Sequence, residues 1–183
     1  MKHTFLQVIF ILFTFSGNAQ AKVIGIYRTA ADYLNHTPTL VGKNERVKLH
    51  DVFVKHYIEI IGADSTLKLE KDSLYAFVCE NHVTYRFQKK EIFPVLHSGL
   101  LMLYKIQPLA TKAGTPDAIY YFSRTINSPV IKLTMSNLAK AYADNPKFIE
   151  LMNTRFDDDY DLHLYDENNA QYIIEQLLIL STK

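Results

Sequence analysis

Cysteine, tryptophan, glycine and proline are all scarce in this chain. Its 183 residues include one cysteine, Cys79, no tryptophan, six glycines and six prolines. A single cysteine excludes an internal disulfide framework, so the packed core must stabilise the fold. The glycines and prolines form no linker or low-complexity segment that would mark a second domain. Because 48% of the residues are apolar, which is too many for a disordered chain, we expect one folded domain.

A surplus of charge of either sign is also missing. The chain has 20 basic and 19 acidic residues. Proteins that bind nucleic acid or anionic lipid mainly through charge need a basic surplus, because they neutralise phosphates. The balance therefore predicts no nucleic-acid partner and leaves an unidentified protein or small molecule as the partner. It does not indicate an oligomeric state.

The N-terminus carries the pattern of a secretion signal. Lys2 precedes a short apolar run over residues 5–15, which is shorter than the ~20 apolar residues that a membrane-spanning helix needs. Small residues then occupy the positions that a signal peptidase reads, and cleavage after Ala19 or after Ala21 fits. We predict that residues 1–21 are a signal peptide, that no transmembrane segment remains after its removal, and that the protein is periplasmic or secreted.

Residues 22–183 are predicted to form a single α+β domain in which strands precede helices. Between positions 47 and 122 apolar and polar residues alternate with a period of two, which is typical of strands with one buried face. Short connections between successive strands favour an antiparallel meander. We predict about six or seven strands in a curved or partly barrelled sheet. They are placed at residues 23–28, 53–61, 66–70, 74–79, 83–87, 100–106 and 119–123.

Helices are predicted mainly after Pro129, where they cover one face of the sheet. Thr29 can cap a short early helix, Thr134 a second, and Asp144 or Asn145 a third that begins with Pro146. A last helix is predicted over residues 167–180. Its apolar stripe consists of Ala170, Ile173, Ile174, Leu177 and Leu180.

Several short motifs resemble those of a family of small exported bacterial proteins without an assigned activity. The resemblance extends over nearly all of the mature chain and implies no catalytic residue. The motifs are Gly25-Ile26-Tyr27, Lys71-Asp72-Ser73-Leu74-Tyr75, Tyr120-Tyr121-Phe122-Ser123, Ser128-Pro129, Leu133-Thr134-Met135-Ser136-Asn137-Leu138 and Tyr165-Asp166.

An acidic segment over residues 157–168 has spacing that suggests a calcium loop. Counted from Asp157, however, the sixth position is Leu162 where an EF-hand needs glycine, and the twelfth is Asn168 where it needs glutamate. A solvated segment between helices explains these acids equally well. We assign no metal-binding residue here.

Two possible nucleophiles are considered. Cys79 could act with His82 or His97, but it ends an apolar strand, and free cysteines in such places are usually buried and inert. Ser98 follows His97 directly, but neighbours on a strand point to opposite faces. The sequence therefore assigns no catalytic residue and no cofactor-binding residue, and it implies no cofactor.

Twelve tyrosines and eleven phenylalanines could form a stacking platform for sugars or peptides. Most of them occupy alternating strand positions or helical stripes, where packing explains them. Two functions from different classes remain open. The first is a non-catalytic binding or envelope-associated domain, and the second is a hydrolase that uses scattered His, Asp and Ser groups.

Overall fold

A computed structural model describes residues 20–41, 45–48, 55–112 and 114–182. Within them, eleven strands form one antiparallel sheet. In chain order they are β1 (Gln20–Tyr27), β2 (Leu40–Val41), β3 (Arg46–Lys48), β4 (Tyr57–Ile61), β5 (Thr66–Glu70), β6 (Ala76–Cys79), β7 (Thr84–Gln88), β8 (Glu91–Ser98), β9 (Met102–Ile106), β10 (Ile119–Ser123) and β11 (Ile131–Lys132).

The order across the sheet is β11-β10-β9-β8-β7-β6-β1-β3-β4-β5, and β2 pairs with β1. From β6 to β11 every strand pairs with the next one in the chain, which confirms the predicted antiparallel meander. The described strands at the two ends of this order, β5 and β11, are not paired with each other, so the sheet is not a closed barrel. The predicted hairpin is present as β6 and β7, with Phe77 opposite Tyr85.

Four strands of this sheet were not predicted from the sequence. Three of them, β2, β3 and β11, have only two or three residues, too few for a period to be visible. The fourth, β8, is eight residues long but contains Pro94, which pairs opposite Tyr85. Proline donates no backbone hydrogen bond and ordinarily argues against a strand inside a sheet. Of the strand predicted over residues 53–61, positions 53 and 54 lie outside the described residues.

The first three helices begin at the predicted caps. Helix α1 (Ala30–Leu34) starts with a capping box between Thr29 and Asp32. Helix α2 (Met135–Ala141) is capped by the Thr134 hydroxyl, and α3 (Pro146–Arg155) by the Asn145 side chain. These caps satisfy amide groups that have no partner within the helix.

The last helix begins later than predicted. Helix α4 is Ile173–Ser181, and the residues before it form a small hairpin of β12 (Tyr165–Asp166) and β13 (Gln171–Tyr172). The Asp166 carboxylate causes this change, because it accepts hydrogen bonds from the backbone of Asn168 and Asn169 and closes a turn. The predicted stripe is correspondingly wrong at both ends, since Ala170 lies in the turn with a φ of 49° and Leu180 is 51% exposed.

Three apolar clusters stabilise the fold. One lies among the strands of the N-terminal half and contains Val23, Ile58 and Phe77. The largest lies between the helices and one face of the C-terminal strands, which contributes Leu103 and Phe122. The third is on the opposite face and has Phe93, Met102, Tyr104 and Val130. None of the helices in the described chain has the length and apolar character to cross a bilayer.

Candidate functional site

A cleft lies where the helical layer ends over β9 and β10. Phe122 on β10 is buried under the helices, and Tyr120, two residues earlier, points from the same face of the sheet. Lys105 on β9 is the strand partner of Tyr120, and its Nζ is 5.8 Å from the centre of that ring. A single turn of 3-10 helix, Tyr160–His163, covers Tyr120 in place of an α-helix.

Three aromatic rings form the wall of this cleft. The His163 ring is stacked on Tyr120 with a centroid distance of 4.0 Å and an interplanar angle of 14°. The Tyr160 ring stands nearly perpendicular to His163, at 84°, and the residue is 69% exposed. Tyr160 therefore makes an edge contact with His163 while most of its surface faces solvent.

We call this cleft the aromatic pocket. Its volume is about 350 Å³, at the lower end of the ~300–1,000 Å³ typical of small-molecule sites. Charged residues of both signs line it together with the rings and apolar groups. The lining residues are Asp117, Ala118, Ile119, Tyr120, Lys132, Leu133, Asp159, Tyr160 and His163.

The carboxylate of Asp159 is held in a fixed position at the pocket. Its Oδ1 accepts a 2.7 Å hydrogen bond from the backbone N–H of Met135, the first residue of α2. The neighbouring Asp158 accepts from the backbone N–H of Tyr160 and so shapes the turn that presents this ring. Asp158 and Asp159, two acids of the segment predicted as solvated, thus position the backbone. No three His, Cys, Asp or Glu side chains of the described residues converge as a metal site would require.

A histidine–carboxylate pair lies near the pocket, beyond Tyr172. The His97 ring packs against Tyr172 with a centroid distance of 5.0 Å, and its Nε2 is 2.7 Å from Glu175 Oε2, at ion-pair distance but outside hydrogen-bonding geometry. Glu175 is 2% exposed, and its Oε1 accepts a 2.8 Å hydrogen bond from the N–H of Leu100. The pair therefore links α4 to the end of β8 and to the turn that follows it.

The close approach of Glu175 depends on Gly99. A Cβ added at this residue would overlap the Glu175 carboxylate and stand 2.6 Å from His97 Nε2. Ser98 does not join the pair, because it lies opposite Met102 while His97 lies opposite Leu103, on the other face of the sheet. Among the described residues, no hydroxyl or thiol is hydrogen-bonded to His97, so a nucleophile is missing from this arrangement.

Cys79 lies in the other half of the molecule. It is 1% exposed and unpaired, as predicted. Burial raises the pKa of its thiol to about 11, which keeps it protonated and a weak nucleophile at neutral pH. His82 is an exposed turn residue with a φ of 61°.

Sequence reasoning missed a buried polar network around Arg86. The guanidinium is almost fully buried, and its Nη1 donates to Tyr104 Oη at 2.6 Å and to Ser123 Oγ at 2.9 Å. Its Nη2 donates to the carbonyl of Ser128 at 2.7 Å, and the ring of Tyr75 lies 5.1 Å away. No carboxylate of the described residues neutralises it. The network joins β7, β9, β10 and the following loop, so we interpret it as structural.

Comparison with known proteins gives no further guide to function: no family model, curated protein or solved structure matches this chain.

Proposed function

We propose that this protein is an exported, non-catalytic binding domain whose ligand occupies the aromatic pocket. The exposed ring of Tyr160 carries the proposal, because it stands in a cleft that also holds fixed polar groups. A concave site with apolar walls and a few placed polar groups is the usual form of a small-molecule site. Membership of the exported family that the motifs resemble stays a prediction.

Because the chain has no tryptophan, its fluorescence comes from its twelve tyrosines, of which Tyr120 and Tyr160 line this pocket. We expect a low-molecular-mass extract of the native envelope to change the fluorescence and raise the melting temperature of the wild-type protein, because a ligand that binds only the folded state stabilises it. Tyr160→Ala should abolish both responses. Tyr165→Ala is the matched control, since Tyr165 is also exposed, at 41%, but does not line the pocket. Equal responses in all three proteins would contradict the proposal.

The strand pairing at the N-terminus of the described chain bears on the choice between the two cleavage sites. Gln20 and Ala21 already belong to β1, where they pair with Lys48 and Val47. Cleavage after Ala19 keeps this pairing, whereas cleavage after Ala21 removes both residues. We therefore propose Gln20 as the first residue of the mature protein. N-terminal sequencing of the protein from an envelope fraction tests this, and a start at Met1 would contradict export.

A hydrolase is the second candidate, and the His97–Glu175 pair is the observation that favours it. A carboxylate that orients a histidine could help that histidine to activate water as a general base. Hydrolysis of ester or glycoside test substrates that falls in both His97→Gln and Glu175→Gln, while the folded fraction is unchanged, would support this candidate. Activity unchanged by both variants would exclude the pair as its source.

A further inference from the structure

We infer that the ligand of the aromatic pocket is an uncharged saccharide. This inference rests on the proposed binding function and specifies its ligand. The observations behind it are the signs of the charges around the pocket and the exposure of the Tyr160 ring.

The charges favour a ligand without net charge. Asp117 and Asp159 lie on the same lining as Lys132, and Lys105 stands against Tyr120 beside it. An anionic ligand would meet the two carboxylates, and a cationic ligand would meet the two ammonium groups. Like charges brought together at a binding site weaken binding. A neutral ligand with many hydroxyl groups can instead donate hydrogen bonds to the carboxylates and accept them from the lysine.

The aromatic rings favour a ligand with a flat apolar face. The face of an aromatic ring is negatively polarised and attracts the positively polarised C–H groups that a pyranose presents on one side. Tyr160 offers such a ring in solvent, whereas one face of Tyr120 is already covered by the stacked His163. Hydroxyl groups at the sugar's edge and C–H groups on its face therefore match the two kinds of surface that the pocket presents.

The test measures binding of defined probes by isothermal titration and by tyrosine fluorescence. The saccharide probes are the hexamers of β-1,4-linked N-acetylglucosamine, β-1,4-linked glucose and α-1,4-linked glucose. The charged and zwitterionic probes are tetramethylammonium, inorganic phosphate and alanyl-alanine. We expect saturable binding of at least one saccharide, and little change in its affinity between about 50 and about 500 mM salt, because salt screens only charged interactions.

Variants of Tyr160, compared with a control variant of Tyr165, show whether the Tyr160 ring is responsible for the binding. Tyr160→Ala should weaken saccharide binding about tenfold or more, as expected for a central aromatic contact. Tyr160→Phe should retain binding, because stacking needs the ring and not the hydroxyl. Tyr165→Ala should stay within about twofold of the wild type, as expected outside such a contact. Saccharide binding that is unchanged in Tyr160→Ala would overturn the inference.

The remaining outcomes separate the inference from the proposed function. If no saccharide binds, the saccharide inference is wrong. The binding function still stands if tetramethylammonium, phosphate, the dipeptide or the envelope extract gives a response that Tyr160→Ala abolishes. If none of the six probes binds and the envelope extract gives no response, both are overturned.

Discussion

The N-terminal and C-terminal halves of the sheet form their cores in different ways. The N-terminal cluster draws its residues from strands and a connecting loop, with none from a helix. A sheet that buries side chains among its own strands must curve around them. The C-terminal strands β8 to β11 instead carry apolar clusters on both faces, and α2, α3 and α4 supply the second layer on one of them.

Buried charged side chains also have different surroundings in the two halves. In the N-terminal half the Lys71 side chain is fully buried, its Nζ has no partner among the described residues, and burial lowers its pKa. At the junction and in the C-terminal half, Arg86 and Glu175 are buried with several hydrogen-bonding or ionic partners. The partners of Arg86 come from strands and a loop, and Glu175 itself belongs to the helical layer. The aromatic pocket lies at the edge of the helical layer, where the Tyr160 ring is open to solvent.

The largest expected effect comes from removing a side chain between the two layers. Leu177 on α4 is 7% exposed and belongs to the largest core cluster. Leu177→Ala should lower the free energy of unfolding by ~2–5 kcal/mol, the usual cost of emptying a buried leucine site. Leu180→Ala is the matched control, because Leu180 is exposed and its substitution should change stability by no more than ~0.5 kcal/mol. Urea denaturation measures both.

Equal stabilities of the two leucine variants would mean that α4 is an appendage of the C-terminal half. Its apolar residues would then be available to a partner instead of the core. The contrast between an N-terminal half whose strands enclose their own core and a C-terminal half covered by helices would no longer hold.

The next effect concerns the turn that lets α4 approach the sheet. Gly99→Ala should destabilise the protein by ~1–3 kcal/mol, the usual range for overpacking, because the added methyl group displaces Glu175. Gly62→Ala in the N-terminal half is the control, since its added Cβ would come no closer than 3.4 Å to another atom. In Glu175→Ala the overlap with the carboxylate is removed and the contact with His97 Nε2 at 2.6 Å remains, so Gly99→Ala on that background should cost less. An equal cost on both backgrounds would contradict the role assigned to the carboxylate.

Cys79 reports whether the N-terminal half opens together with the C-terminal half. Because the thiol is buried and its pKa is raised to about 11, a bulky thiol reagent should label the native protein slowly at pH 8 and rapidly in denaturant. If the two halves unfold as one unit, Leu177→Ala should accelerate labelling by the same factor by which it raises the population of the unfolded state. Labelling that stays slow in Leu177→Ala would show that the halves open independently. Rapid labelling of the native wild type would contradict the burial of Cys79.

Local signals in the sequence predicted much of the fold. The caps at Thr29, Thr134 and Asn145 were found because capping depends on residues within one turn of each other. The hairpin of β6 and β7 was found because one face is buried and the period of two is clear. The predicted start of α4 was wrong because the side chain of Asp166 closes a competing turn. Helical periodicity does not reveal such a turn.

The candidate site could not be predicted, because its parts are distant in the chain. Tyr120 meets His163 only through the sheet and the 3-10 turn, and His97 meets Glu175 only after α4 folds back. The alternating pattern around Tyr120 is also typical of residues packed in a core, so it did not distinguish a binding residue from a core residue. The exposure of Tyr160 was the decisive observation, and it depends on where the helical layer ends.

The smallest expected effect is the pH dependence of the hairpin before α4. The Asp166 carboxylate accepts hydrogen bonds from the side chains of Gln176 and Asn169 and from nearby backbone N–H groups, and these hold its pKa at about 2. Because this pKa is lower in the folded than in the unfolded state, the stabilisation is present above the ordinary pKa of 3.8 and is lost as the pH falls through 2.

Asp166→Asn should therefore melt at a slightly lower temperature than the wild type at pH 6, and the difference should disappear by pH 2. Glu167→Gln at the adjacent exposed residue is the control and should show no such convergence. Melting curves of wild type and Asp166→Asn that stay equally far apart from pH 6 to pH 2 would show that the carboxylate does not hold the turn through its charge.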